Sequence, residues 1–256
     1  MLSIQGLTKQ YARTLALSDV SVRIPNGQMV AIIGRSGAGK STFLRLINRL
    51  IEPTSGSIEF EGRKVTQLLG DDLRRWRAQA AMIFQGFNLS PRLDVLTNVM
   101  VGASTEIPQV RRLLRLYTRA ERLRAASALD DLGLIDKALE RAERLSGGQQ
   151  QRVAIARALM QSPRLILADE PVASLDPRNT RLVMDTLKWI NTERNITVIC
   201  NLHSLEIARA YADRVIGLRD GRLVFDGPVH ALSDAVLSDV YGEALDTDEE
   251  SVREAA

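Results

Sequence analysis

Nine consecutive residues constrain this chain more than any others: Gly34-Arg35-Ser36-Gly37-Ala38-Gly39-Lys40-Ser41-Thr42. They follow a strand-sized run from Gln28 to Ile33. They precede Phe43, Leu46, Ile47 and Leu50, which are spaced as on one face of a helix. Strand, glycine loop and helix in that order fit G-x-x-x-x-G-K-[ST] in the context the motif requires. Glycines let the backbone wrap closely, so that successive N–H groups face one anion. The helix N-terminus adds partial positive charge. The pattern predicts a cradle for phosphate groups, with Lys40 reaching the β/γ-phosphates and Ser41 binding Mg²⁺.

A second signal is Leu165-Ile166-Leu167-Ala168-Asp169-Glu170. An apolar strand delivers two adjacent carboxylates at its C-terminal end, where ligands bind in parallel α/β sheets. Asp169 is placed to hold Mg²⁺, and Glu170 to orient or deprotonate a water. By itself an Asp-Glu pair after a strand reads as a solvated turn; the phosphate loop changes that reading. A third signal is Leu145-Ser146-Gly147-Gly148-Gln149. Ser146 and Gln149 fit a capping box before a helix from Gln150 to Met160. Capping alone does not explain Gly147 and Gly148, each costing ~1 kcal/mol relative to Ala in a first helical turn. Two glycines there make sense where backbone must approach a ligand closely, and a helix N-terminus receives a phosphate.

Strand and helix signals alternate through most of the chain, which predicts an α/β fold with a mainly parallel sheet. Ser57 to Phe60 reads as a short antiparallel strand. Arg164 to Ala168 and Thr197 to Cys200 read as core strands, and Arg214 to Leu218 with Arg222 to Phe225 as a hairpin turning at Asp220-Gly221. From about Pro91 to Ser162 the chain is mostly helical and rich in Arg, a subdomain inserted at about 88–163. There Thr118-Arg119-Ala120-Glu121 fits a capping box, Leu123, Leu129 and Leu132 supply an apolar stripe, and Gly133 is a stop. Residues 1–242 form one domain on this reading, and 243–256 an acidic, flexible tail.

Composition excludes other classes. One Cys and two His rule out a disulfide framework and make a His/Cys zinc site improbable. With 34 Lys+Arg against 31 Asp+Glu, the charge is near balance and nonspecific nucleic-acid binding is not implied. No apolar run approaches the ~18 residues that cross a bilayer. The first residues lack a signal peptide's basic and apolar regions. The expectation is a chain that stays in the cytoplasm unless a partner carries it to a membrane.

With these motifs in place, the chain resembles the ATPase subunit of ABC transporters over about Leu2 to Gly227. The resemblance implies a P-loop NTPase core with a parallel sheet, an antiparallel β subdomain and an inserted α-helical subdomain. It implies ATP and Mg²⁺. It also implies further site residues. Tyr11 is similar to the adenine-stacking ring, Gln85 to the loop glutamine that senses Mg²⁺ and the permease, and Asp176 (in Ser174-Leu175-Asp176) to the loop that crosses to a second subunit. His203 is similar to the switch histidine at the γ-phosphate. The implied assembly is a head-to-tail pair, ATP on Lys40 and Ser41 of one copy meeting Ser146 to Gln149 of the other. The implied partners are a membrane permease at the cytoplasmic face of the bacterial inner membrane and, through it, an external substrate-binding protein, with no nucleic acid.

The stretches Phe87 to Val99, Ala168 to Pro177 and Asn201-Leu202-His203 resemble the bacterial phosphonate importers most; phosphite or another oxyanion stays open as cargo. Ser204 departs from the Asp of many relatives. The ATPase of another importer, or of an export or cell-division complex, is an alternative. A DNA-repair ATPase lacks support, since the chain has neither long heptads nor cysteine modules. A small-molecule kinase leaves the Leu145 to Gln149 signature unexplained. Cys200, Trp76 and Trp189 read as packing, His230 as a surface residue, and the arginines 111, 112, 115, 119, 122 and 124 as a solvated helical face.

Overall fold

The computed structural model describes residues 1–103 and 107–242; the acidic tail expected at 243–256 lies outside them. Along the chain the elements are β1 (Leu2–Tyr11), β2 (Thr14–Ile24), β3 (Met29–Ile33), α1 (Lys40–Ile47), β4 (Ser55–Phe60), β5 (Arg63–Lys64), α2 (Gly70–Gln79) and β6 (Ala80–Ile83). There follow α3 (Val95–Met100), α4 (Gln109–Leu113), α5 (Arg119–Asp130), α6 (Gly147–Leu159), β7 (Leu165–Asp169) and α7 (Pro177–Glu193). The last are β8 (Thr197–Asn201), α8 (Leu205–Tyr211), β9 (Arg214–Arg219), β10 (Arg222–Pro228) and α9 (Asp234–Tyr241). The chain divides into two compact units, residues 1–67 with the described part of 199–256, and residues 68–198.

The first unit holds an antiparallel sheet in the order β2-β1-β4-β5. Its inward residues alternate, with Val20, Val22 and Ile24 buried between Ser21 and Arg23. The same unit holds β3 parallel to β9, and β10 antiparallel to β9. All five residues of β3 are buried, as expected of a strand covered on both faces. The β9–β10 turn has Asp220 at φ 49° and Gly221 at φ 76°, the two left-handed positions that a type I′ hairpin needs.

In the second unit β6 runs parallel to β7, with Ile83 beside Ala168. Helices α3, α5 and α6 pack with Val95, Val99, Ala125, Leu129, Val153 and Ile155 buried, each fully buried large aliphatic contributing about 1.5–3 kcal/mol. The expected box opens α5: Thr118 accepts from the Glu121 N–H, and Glu121 accepts from the Thr118 N–H. Gly133 lies at φ 63° just past the helix.

Four expectations need correction. Leu50 lies beyond α1 and is 43% exposed, and Leu123 is 60% exposed, so neither belongs to an inward stripe. Trp189 is 36% exposed, with the Arg194 guanidinium 5.1 Å from its ring, so it is not a fully buried packing residue. The arginine run is only partly a solvated face. Arg111 bridges the Leu116 carbonyl and the Glu121 carboxylate, at 3.1 and 2.8 Å, and Arg124 donates to the Met160 carbonyl. Arg115, Arg119 and Arg122 are exposed, and the Arg112 side chain lies outside the described residues.

Candidate functional site

Buried β3 stops at Ile33, and the chain turns at once into the loop before α1. Arg35, Ser36 and Gly37 form the exposed lip, while Gly34, Ala38 and Lys40 are buried. Gly34 has φ 146°, and a Cβ there would stand 2.1 Å from the Leu218 carbonyl oxygen. No other residue type fits without moving β9. The loop is braced from outside by the Gly221 N–H on the Ala38 carbonyl, at 3.2 Å.

Helix α1 then starts at Lys40 with no side-chain cap and no acidic residue in its first turn. Its positive dipole end faces the loop. The Lys40 ammonium is turned inward, donating to the carbonyls of Gly34 and Arg35 at 2.6 and 3.0 Å. A buried ammonium on two carbonyl oxygens exchanges readily for phosphate oxygens, which carry full charge. Ser41 and Thr42 follow on the first turn, half-buried. The donor set therefore fits a phosphate chain. In the same unit Tyr11 is 44% exposed at the end of β1, its ring approached by Lys9 Nζ at 4.8 Å. His203 is exposed just past β8, and Ser204 after it caps α8 by accepting from the Ile207 N–H. A serine in place of Asp therefore keeps a good cap.

The second unit brings four predicted features to the ends of two strands and two helices. The β6–β7 register sets Gln85, two residues past Ile83, at the same edge as Asp169 and Glu170, one and two past Ala168. Asp169 is 4% exposed. Glu170 has φ 52°, a left-handed conformation that a non-glycine residue holds only under constraint from its surroundings. Among the described residues no group of three or more His, Cys, Asp or Glu side chains is placed to hold a metal. A single carboxylate such as Asp169 suits Mg²⁺, which keeps several waters and takes phosphate oxygens as ligands.

Helix α6 begins with the predicted box: Ser146 accepts from the Gln149 N–H at 3.4 Å, and Gln149 accepts from the Ser146 N–H at 2.9 Å. Gly148 is small for a packing reason that its spacing did not reveal. A Cβ on it would meet the Asn179 side chain at 2.3–2.7 Å. Asn179 is itself held at the start of α7 by Asp176, which accepts from the N–H groups of Arg178 and Asn179, both at 3.0 Å. Those amides, above all that of Asn179, hold the Asp176 carboxyl below its usual range. The two helix N-termini are thus locked side by side.

Sequence reasoning missed Asn179, and it missed Arg157, whose guanidinium donates to the carbonyls of Phe87 and Asn88 in the loop after Gln85. Neither carried a motif. Each is visible only through the backbone it touches.

With this geometry in view, the class follows from comparison. Residues 17–173 match the family described as ABC transporter, and the chain belongs to that family. It is 54% identical to the phosphonates import ATP-binding protein PhnC 1 of Rhodopseudomonas palustris, over 97% of this chain and 92% of that one. It is 55% identical to the phosphonates import ATP-binding protein PhnC of Rhizobium meliloti, over 94% of this chain and 87% of the relative. Among solved structures, the ATP-binding cassette MJ0796, a dimer in a post-hydrolysis state bound to ADP and Pi, aligns with a TM-score of 0.79. It is 35% identical, covering 91% of this chain and all of that one. CbiO1 of Clostridium perfringens, part of the cbiONQ transporter complex, aligns at 0.78 with 28% identity, over 99% of this chain and 93% of that one.

Proposed function

We propose that this chain is the ATP-binding and ATP-hydrolysing subunit of an importer that takes up phosphonates through a separate membrane permease. The observation that carries the ATPase reading is the uncapped start of α1 behind a glycine loop, with Lys40 turned onto that loop's carbonyls. The cargo reading rests on identity above half to proteins named for phosphonate import. No described helix is long and apolar enough to cross a membrane, so transport by this chain works through a partner.

In this reading Gly34 to Thr42 hold the triphosphate through backbone N–H groups, and Tyr11 offers its exposed ring to the adenine. Lys40 leaves the carbonyls of Gly34 and Arg35 for the β/γ-phosphates. The Ser41 hydroxyl and the Asp169 carboxylate, with Gln85, would hold Mg²⁺, and the chemistry supplied would be neutralisation of charge on the phosphate oxygens. Glu170 accepts the proton of the attacking water, and His203 donates to the oxygens of the phosphoryl group as it leaves. No covalent enzyme intermediate is involved; positioning and charge supply the rate.

The Ser146–Gln149 cap serves the nucleotide of a second copy. Its two reciprocal hydrogen bonds are exchanged for bonds to the γ-phosphate, so ATP joins two copies and hydrolysis releases them. Asp176 lies on the loop between them. The solved dimer of a related cassette supports this arrangement. Residues 1–242 act as one ATPase domain with a helical insert at about 88–163, seated at the cytoplasmic face of the membrane by the permease.

Glu170→Gln tests the core of the reading. Removing the base lowers turnover by about 100-fold or more, while ATP binding persists. Size-exclusion chromatography with Mg-ATP then shows the chain as a dimer. A monomeric variant that still hydrolyses ATP at the parent rate removes both the base and the clasp.

A further inference from the structure

The loop after β6 is held in an unfavourable shape. Phe87 has φ 42° and Asn88 φ 52°, two successive left-handed residues, neither a glycine. The Asn88 N–H folds back onto the Gly86 carbonyl, closing a three-residue turn around Phe87. Positive-φ turns of this kind are rare and strained. Something outside the loop must keep them.

Two contacts do so, both from α6. The Phe87 ring reaches the start of the helix, where a Cβ on Gly147 would come within 3.7 Å of it. Ten residues along, Arg157 points its side chain back toward the helix N-terminus and donates one Nη to the Phe87 carbonyl at 2.8 Å and the other to the Asn88 carbonyl. Those carbonyls belong to the two strained residues. Arg157 itself is well placed as an anchor. A Cβ on Gly102 would stand 2.1 Å from the Arg157 carbonyl, so the turn after α3 packs directly on its backbone. Among the described residues it has no carboxylate partner, and burial lowers its pKa. The charge of this cation is met by the loop's carbonyl dipoles.

We propose that Arg157 is a positioning residue for Gln85: its guanidinium fork pins the Gly86–Asn88 turn to α6, so that the loop bearing Gln85 and the helix that begins at Ser146–Gln149 move as one piece. The effect on turnover rests on the ATPase reading above; the pinning itself does not. Lysine keeps the charge but not the planar fork, and cannot serve both carbonyls in the same geometry.

The test uses the full chain and compares Arg157→Met, Arg157→Lys and Arg157→Met with Asn88→Gly. Asn88 is exposed, and glycine accepts its φ without strain, so the second change restores the turn's shape by another route. Arg157→Met is expected to lower kcat about tenfold with the KM for ATP held within about twofold, Arg157→Lys to fall between, and the double variant to recover about threefold over Arg157→Met. Hydrogen exchange at residues 86–90 should quicken about tenfold in Arg157→Met and not in residues 1–67.

Unchanged exchange at 86–90 overturns the proposal. So does a parallel loss of kcat and ATP affinity that Asn88→Gly leaves untouched, which marks a merely structural arginine. A parent chain that neither binds nor hydrolyses ATP would defeat the ATPase reading alone, and the exchange measurement would still decide the pinning. If Arg157→Met fails to fold, Arg157→Lys carries the same comparison.

Discussion

At the start of α1 no side chain caps the helix, whereas at the start of α6 Ser146 and Gln149 cap each other's amides. Glycines stand before α1 and in the first turn of α6, and both helices present N–H groups at their starts. The difference lies in what satisfies those groups before a ligand arrives. In the loop before α1 the waiting role falls to Lys40, which turns onto the carbonyls of Gly34 and Arg35. At α6 the Ser146 and Gln149 amides are themselves occupied. A phosphate at α1 must draw Lys40 off two carbonyls but meets no side-chain cap, while a phosphate at α6 must displace a box. That asymmetry suits a site filled first by the chain's own nucleotide and a second site engaged only when another copy delivers one.

The largest effect expected on this contrast comes from Gly34→Ala. Its Cβ meets backbone oxygen in β9, and the φ is one that alanine resists, so stability should fall by about 3 kcal/mol or more. A denaturant titration reads the loss, and nucleotide binding should vanish with it. An unshifted midpoint breaks the claim that this loop is braced by β9. Gly148→Ala comes next. Its Cβ meets a side chain, Asn179, which yields only by leaving Asp176. About 1–2 kcal/mol should be lost, with turnover reduced and ATP binding to the single copy kept. Loss of that binding in a fluorescent-nucleotide titration would show that α6 serves its own chain.

Ser146→Ala sharpens the comparison further. Removing the hydroxyl from an exposed cap should destabilise by about 1 kcal/mol. Calorimetry should show the shift, and Mg-ATP-dependent dimerisation should weaken in ultracentrifugation. A variant as stable as its parent would mean that the box holds nothing before the ligand comes. The smallest effect falls outside both helix starts. Cys200 is buried in β8 and desolvation pushes its thiol up to about 12. The reactive thiolate is thus scarce at pH 8. Iodoacetamide should label the chain only after denaturation, with or without ATP.

Much of the site was legible because its chemistry is local. Gly34 to Thr42, Asp169-Glu170 and Ser146 to Gln149 are contiguous, each signalled by glycine or capping chemistry that acts over a few residues. The antiparallel sheet was harder to read. Strands β1 and β2 carry bulges, with register shifts between Ile4 and Leu7 and between Leu7 and Lys9, and left-handed residues at Gly6 and Asp19. Each shift breaks the two-residue alternation that marks a strand. Leu50 and Leu123 misled for the converse reason. Their spacing continued an apolar stripe, but the helix had ended at Ile47 in one case and no neighbour covered the position in the other.

What sequence determined by itself was therefore the set of groups able to grip phosphate: amides at glycine-bordered helix starts, one lysine, and paired carboxylates closing an apolar strand. Only the tertiary structure decided which of these helix starts carries a side-chain cap and which does not. It also decided that Gly148 is small because Asn179 stands beside it, and that a strained turn after Gln85 hangs from Arg157. The reason is one of range. Conformational preference acts between neighbours along the chain, whereas a guanidinium on one helix and a carbonyl some seventy residues away meet only once the core between them has packed.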